Sequence, residues 1–467
     1  MNIPKSPKTI LLDGVNQDQE HEEQKALLKA FTGTLHHFFG GWRKLFKGVK
    51  DGRNPELIRY PLEGLLSAGV LMFLFRLGAR RQINYQLRGN APSQAKFGVW
   101  FEVEEVPHGD TLNYAFKRIA PADVQEVVCQ MVETLLRKKI LYRWRMYANF
   151  LVAVDGTGVL TFRERHCDYC MTKKLHNGET LYYHPVLEAK LVTANGFAFS
   201  LMTEFIENLD PQADKQDCEL KAFYRLSRRL KARFPHLPIC LLLDGLFAGG
   251  PTFQLCHTYD WRYMIVFQED DLPQVHRTYD LLFPQTPENH KQVRLGQQQE
   301  IIQDYHWVKQ IDYLDSQDRH HSLNVLVCKE TRPTRQGDTS TTTFKWLTNF
   351  IPTSHNVDTL ANQGGRLRWK IENEGFNIQK NGGFNLEHPY SQNETARKVF
   401  YFLLQIAHLI FQLIEKGSLF RKAFPQGFGS LKNIAVRLLE AWRNLRLSPS
   451  AFCGLYKGRY QIRFDTS

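Results

Sequence analysis

From residue 20 to 146 the apolar residues recur at three- and four-residue spacing. QKALLKAFTGTLHHFF, PLEGLLSAGVLMFLFRLGARRQINYQLR and PADVQEVVCQMVETLLRKKI therefore predict helices, separated by Gly and Pro breaks. The turn VPHGDT (106–111) predicts a helix start, with Asp110 or Thr111 capping LNYAFKRI. The first 20 residues are polar and predict loose chain. At 149 the period changes. NFLVAV is a short apolar run ending in DGTG, and TLYYHPVLEAKLVTANGFAFSLMTEFI reads as two strands around a turn at Asn195-Gly196. KQDCELKAFYRLSRRLKARF (215–234) predicts an amphipathic helix, PICLLL (238–243) a buried strand closed by Asp-Gly, PTFQLCHTY a short helix and WRYMIVFQ (261–268) a fifth strand.

The order strand, hairpin, helix, strand, helix, strand is that of an α/β fold with a ribonuclease-H-like mixed sheet. Residues 270–350 depart from it, with strand-like HWVKQIDYL, SLNVLVCKE and TTTFKWLTNF among polar turns. NVDTLANQGGRLRWKIENEGFNIQK (356–380) is helical with a break at Gly364-Gly365, and 393–446 predicts two more helices. The expected organisation is a helical region at 1–146 and an α/β core at 147–270 and 351–392. A β-rich insertion occupies 271–350, and a basic helical region 393–467.

Composition narrows the partner. With 60 Lys+Arg against 48 Asp+Glu, the net charge of +12 points to a polyanion. Between 395 and 467 twelve basic residues face three acidic ones. The apolar run at 64–75 is too short to span a bilayer, which takes about 20 residues. That at 399–414 carries Gln405, His408 and Gln412 at near-helical spacing, which suits a buried helix. There is no signal-peptide pattern, and the eight cysteines are scattered. A soluble protein of a reducing compartment, bound to nucleic acid and not to membrane, is expected.

The chemistry centres on Asp155 and Asp244. Each ends an apolar run and precedes Gly (VAVDG, LLLDG), so that the chain can turn sharply beneath the carboxylate. Asp-Gly after a strand is also ordinary turn chemistry. If the two strands are neighbours, about 4.8 Å apart, the carboxylates meet at one edge of the sheet. Two such groups repel, and a divalent cation relieves this; Mg²⁺ suits oxygen ligands. A third carboxylate is expected from RLRWKIENEGFNIQK. Glu372 and Glu374 point about 200° apart on a helix, so only one can reach the others. Arg368 shares a face with Glu372, while Trp369 and Phe376 predict a buried neighbouring face.

VAVDGTG, LLLDG and RLRWKIENEGFNIQK, in that order, resemble the DDE transposases of bacterial insertion sequences, in particular those with a Tyr-Arg-Glu-Lys motif around the third acidic residue. Asp244 lies 89 residues after Asp155, and Glu372 a further 128 on; in that family a β-rich insertion fills the second gap. VPHGDTLNYAFKRI and ENLDPQADKQDCELKAFYRL are also similar to family stretches, so that the likeness covers roughly 105–445. The resemblance implies Asp155, Asp244 and Glu372 as a catalytic triad binding Mg²⁺, with Mn²⁺ as a substitute. It implies Arg368 and Lys380 as DNA-binding residues, double-stranded transposon-end and target DNA as partners, a homodimeric synapse, and a cytoplasmic, nucleoid-associated location. Two positions depart from the motif: its Tyr falls at Gly365 and its Lys at Gln379, one residue before Lys380. A DNA-binding protein that no longer cuts, and a nuclease that cuts without joining, are the alternatives.

His166-Cys167-Asp168-Tyr169-Cys170 holds a Cys-x2-Cys with His176 or His184 nearby, half of a zinc-ligand pattern. No second Cys-x2-Cys exists, and unligated thiols are the expectation.

Overall fold

The computed structural model describes residues 17–165, 167–208, 216–334 and 337–464. The N-terminal tail, His166 and part of ENLDPQADKQDCELKAFYRL lie outside them. The fold is mixed α/β, with 47% helix and 22% strand in one mixed sheet. Two compact units divide at 118/119 and 409/410.

The first unit joins 17–118 to 410–464 and is helical. Its core is aromatic. The Phe31 ring packs edge-on against Trp42, Phe75, Trp100 and Trp442, at centroid distances of 5.5–6.5 Å. Trp442 Nε1 donates to Ser93 Oγ at 2.8 Å. The two terminal regions read separately from the sequence thus share one core, since Trp442 of the C-terminal stretch packs among the N-terminal rings. The expected cap is also corrected. The helix Gly109–Phe116 starts at His108, whose Nδ1 accepts from the Asp110 amide, and not at Asp110 or Thr111.

The second unit, 119–409, holds the sheet. Its strands are β1 (Phe150–Phe162), β2 (Met171–Lys174), β3 (Thr180–Val192), β4 (Ala198–Phe205), β5 (Ile239–Leu243), β6 (Arg262–Val266), β7 (His290–Leu295), β8 (Ile301–Leu314), β9 (His320–Pro333) and β10 (Thr339–Thr348). The order is β2-β3-β1-β5-β6-β10-β9-β8-β7, with β4 on β3. β1, β3 and β4 are antiparallel, β1, β5 and β6 are parallel, and β10 returns antiparallel to β6. The β3–β4 turn falls at Asn195-Gly196 as expected, with Gly196 at φ 86°.

The strands of the β-rich stretch join the same sheet, β10 pairing with β6. Leu151, Ala153, Leu242 and Met264 of the central strands share one buried cluster with Tyr305, Trp307, Leu326 and Trp346. Helix Pro121–Arg137, assigned from sequence to the N-terminal region, lies on β4: Gln125 donates to the Thr203 carbonyl at 3.2 Å and Cys129 to that of Leu201 at 3.2 Å. Helix Glu219–Arg233 is tied beside it, since Arg229 reaches both Gln125 and Glu204.

Helix Glu394–Lys416 is long and apolar enough to cross a membrane by length and composition, but 89% of its apolar window is buried inside the protein. That agrees with the polar positions Gln405 and His408, which are themselves buried.

Candidate metal-binding carboxylate site

β1 and β5 run parallel with Ala153 beside Leu242. Asp155 and Asp244 each stand two residues beyond that last pair. Asp244 directly follows β5, as expected for a residue that closes it. Asp155 does not end β1, because β3 continues to pair with β1 beyond β5, setting Asp155 opposite Glu188 and carrying the ladder on to Phe162. Each aspartate accepts from the next amide through Oδ1, Gly156 N at 2.9 Å and Gly245 N at 2.8 Å.

The two glycines are needed for space and not for a sharp turn, as neither has a left-handed φ. A Cβ on Gly156 would lie 2.1 Å from Glu219 Oε1, and one on Gly245 would lie 2.4 Å from Asp271 Oδ2. Glu219, at the start of the helix Glu219–Arg233, is thus a further carboxyl at the site. Burial raises it above the ordinary carboxylate range, and Asp244 raises it further. Sequence reasoning missed Glu219. Its one local signal is an acid in a helix first turn, which the helix dipole explains without any site.

The segment after β10 supplies the third expected carboxylate. It is not one regular helix: Val357–Asn362 is followed by a 3₁₀ turn over Gly365–Trp369 and a π-turn over Ile371–Phe376. π-turns within helices recur at functional sites. This one brings Glu372 to Asp155, while Glu374 pairs with Lys370 at 2.8 Å. Arg368, 4% exposed, sets Nη1 3.3 Å from Asp155 Oδ2 and 3.4 Å from Glu372 Oε1. Its Nε is buried without a hydrogen-bond partner. Burial pushes the Asp155 carboxyl up to about 7 against the pull of Arg368, with Glu372 adding to the rise. The Asp155 and Glu372 carboxyls thus share one guanidinium, with Asp244 and Glu219 adding negative charge nearby.

An all-oxygen donor set with excess negative charge fits a hard divalent cation such as Mg²⁺. Asp155, Asp244 and Glu372 are not among the side-chain groups whose ligand atoms all lie within 4.8 Å of one another. Among the described residues those are Cys167–Cys170–His184 and His290–Asp304–His306.

At the two positions where the resembled motif has Tyr and Lys, the chain is closely packed. A Cβ on Gly365 would lie 2.4 Å from Trp346 Nε1, so the buried Trp346 ring fills the room a tyrosine needs. Gln379 is fully buried and donates to Gln405 Oε1 at 2.7 Å. Lys380 pairs with Glu387 at 2.8 Å. One expectation fails outright: Trp369 is 50% exposed and not buried, because the 3₁₀ turn rotates it outward, where the Arg368 guanidinium stacks at 4.4 Å from its ring. Phe376 is buried as expected. If the Trp346 contact dictates Gly365, Gly365→Ala should cost about 1–3 kcal/mol by overpacking, read as a lower urea midpoint. An unchanged midpoint would mean that Trp346 yields.

No protein-family model and no curated protein matches the chain.

Proposed function

We propose that the chain is a metal-dependent DNA transposase of the kind its sequence resembles, built on a ribonuclease-H-like sheet. The observation that carries the reading is the convergence just described. Asp155 and Asp244 each stand two residues beyond the last pair of adjacent parallel strands, and Asp155 and Glu372 meet on Arg368. The strand order β4-β3-β1-β5-β6, three antiparallel strands followed by two parallel ones, supports the fold part of the reading.

Asp155, Asp244 and Glu372 would hold Mg²⁺, or Mn²⁺ in its place. Bound there, such ions would supply activation of a water and charge stabilisation for an in-line phosphodiester displacement. The protein's part is to aim the carboxylates. Arg368 bridges two of them and fixes their separation, and its burial keeps it from swinging into solvent. Glu219 adds negative charge beside Asp244. The net charge of +12 favours DNA as the polyanion. The exposed Trp369, stacked on Arg368, offers an aromatic face for a base next to the reacting phosphate.

A second reading is favoured by Gly365 and Gln379: a transposase-derived protein that binds DNA ends without cutting. Duplexes made from the DNA flanking the coding sequence, incubated with the purified chain in Mg²⁺ or in EDTA, separate the two. Mg²⁺-dependent nicking, followed by joining of a pre-cut 3′-hydroxyl end to a second duplex, is the expected result. Binding without nicking selects the second reading, and nicking without joining selects a nuclease.

A further inference from the structure

The turn between β1 and β2 and the face of β3 bring together three soft donors that the carboxylate site does not use. Cys170, which is buried, and Cys167, which is partly exposed, face each other at 3.7 Å between sulfurs. His184 Nε2 lies 3.5 Å from Cys167 Sγ and 3.2 Å from Cys170 Sγ. His184 comes from β3 and the cysteines from a turn closed by the Cys170 amide on the Cys167 carbonyl at 3.4 Å. His176, the other imidazole near the cysteines in sequence, is not part of the group.

These distances have a specific meaning. A tetrahedral zinc ion with bonds of about 2.3 Å to sulfur and about 2.0 Å to nitrogen sets two sulfurs about 3.8 Å apart and a sulfur and a nitrogen about 3.5 Å apart. The observed 3.7, 3.5 and 3.2 Å match an ion at the common centre to within a few tenths of an ångström. A Cys167–Cys170 disulfide would need the sulfurs at about 2.05 Å, and both would have to leave the imidazole.

We propose that Cys167, Cys170 and His184 form a zinc site that clasps the β1–β2 turn to β3. Two thiolates and a neutral imidazole balance the charge of Zn²⁺, and the two thiol protons go to solvent on binding. Cys167 keeps part of its surface exposed, which lets water complete the fourth corner. Arg397 is the charged neighbour, with Nη2 3.5 Å from His184 Nδ1. Once Nε2 is on the metal, Nδ1 carries the ring hydrogen, so the guanidinium turns from Nδ1 toward the thiolates. The site is distinct from the carboxylate cluster. His184 pairs with Leu160 and Asp155 with Glu188, which at about 3.3 Å per residue sets them some 15 Å apart along the strand.

Elemental analysis of the full chain, purified in thiol-reducing buffer, and a titration of the metal-free chain with Co²⁺ test the proposal. The expected results are one zinc per chain, and a thiolate-to-cobalt charge-transfer band with the intense visible bands of a tetrahedral ion, both abolished by added Zn²⁺. Cys170→Ser and His184→Gln should lose the charge-transfer intensity, whereas Asp155→Asn should retain zinc in full. Wild-type protein that carries no zinc and gives only the pale spectrum of octahedral cobalt would overturn the proposal without recourse to any variant. So would recovery of Cys167 and Cys170 as a disulfide from reducing buffer.

Discussion

Asp155→Asn should lower Mg²⁺-dependent DNA cleavage by about 10³-fold or more, while the variant folds and, in EDTA, melts no lower than the wild type. The catalytic half rests on the proposed reading. Loss of one carboxylate from a metal pair removes several kcal/mol of charge stabilisation, and each ~1.4 kcal/mol is a factor of ten. Asparagine keeps the shape of the side chain and the Gly156 amide contact but not the charge, so the loss belongs to metal binding and not to folding. The stability half follows from the crowded carboxyls. Burial lifts the Asp155 carboxyl to about 7 in the folded state, above the roughly 3.9 of an unfolded aspartate. The folded protein therefore holds a proton that the unfolded chain releases, and stability falls as the pH climbs from about 4 to about 7. Asparagine removes that cost. Cleavage at wild-type rate by Asp155→Asn would sink the assignment; a clear loss of melting temperature in EDTA would sink the account of the site's charge.

Glu372→Gln and Glu374→Gln sharpen the assignment. Glu372 shares Arg368 with Asp155, whereas Glu374 is held by Lys370. Only the first substitution should behave like Asp155→Asn.

How far this site was legible depended on where its signals lay along the chain. The apolar runs before Asp155 and Asp244 announce buried parallel strands, and Asn195-Gly196 marks its hairpin, because burial and turn chemistry are local. β2 and β7 were not legible: MTKK and HKQVRL carry few apolar residues, since these strands stand at the two ends of the sheet order. Helix Pro273–Leu282 was hidden within the same polar stretch. Glu219 was invisible for a different reason, since its meaning lies in Gly156, a residue 63 positions earlier whose missing side chain makes room for it. Trp369 misled because an aromatic on a helical repeat predicts burial, and a 3₁₀ turn followed by a π-turn breaks that repeat. The pattern fixes faces only while the period holds.

Lys190→Met should cost about 3–5 kcal/mol and lower the melting temperature by roughly 10 °C, through a pair that no local pattern reveals. Glu188 and Lys190 are both fully buried on β3, with Lys190 Nζ 3.1 Å from Glu188 Oε2. Burial pulls the ammonium below its usual range against the attraction of Glu188. The pair persists because its remaining valences are met. Glu188 accepts from Ser200 at 2.8 Å, from Tyr401 at 2.6 Å and from Thr203, and Lys190 donates to Gln405 at 2.9 Å. Removing the cation alone strands a carboxylate in the interior. Glu188→Gln together with Lys190→Met removes both charges, and should recover much of the loss. Lys190 also supports the site. A Cβ on Gly375 would lie 3.1 Å from its Cδ, and its ammonium stands 5.7 Å from the Phe376 ring, so the π-turn bearing Glu372 rests on this side chain. The single variant should therefore lose cleavage even at temperatures where it remains folded, since Glu372 is held only as firmly as the turn beneath it. Wild-type melting in Lys190→Met would mean that the buried ammonium supports neither the sheet nor the site. A double variant no more stable than the single one would move the cost from the unpaired charge to lost packing.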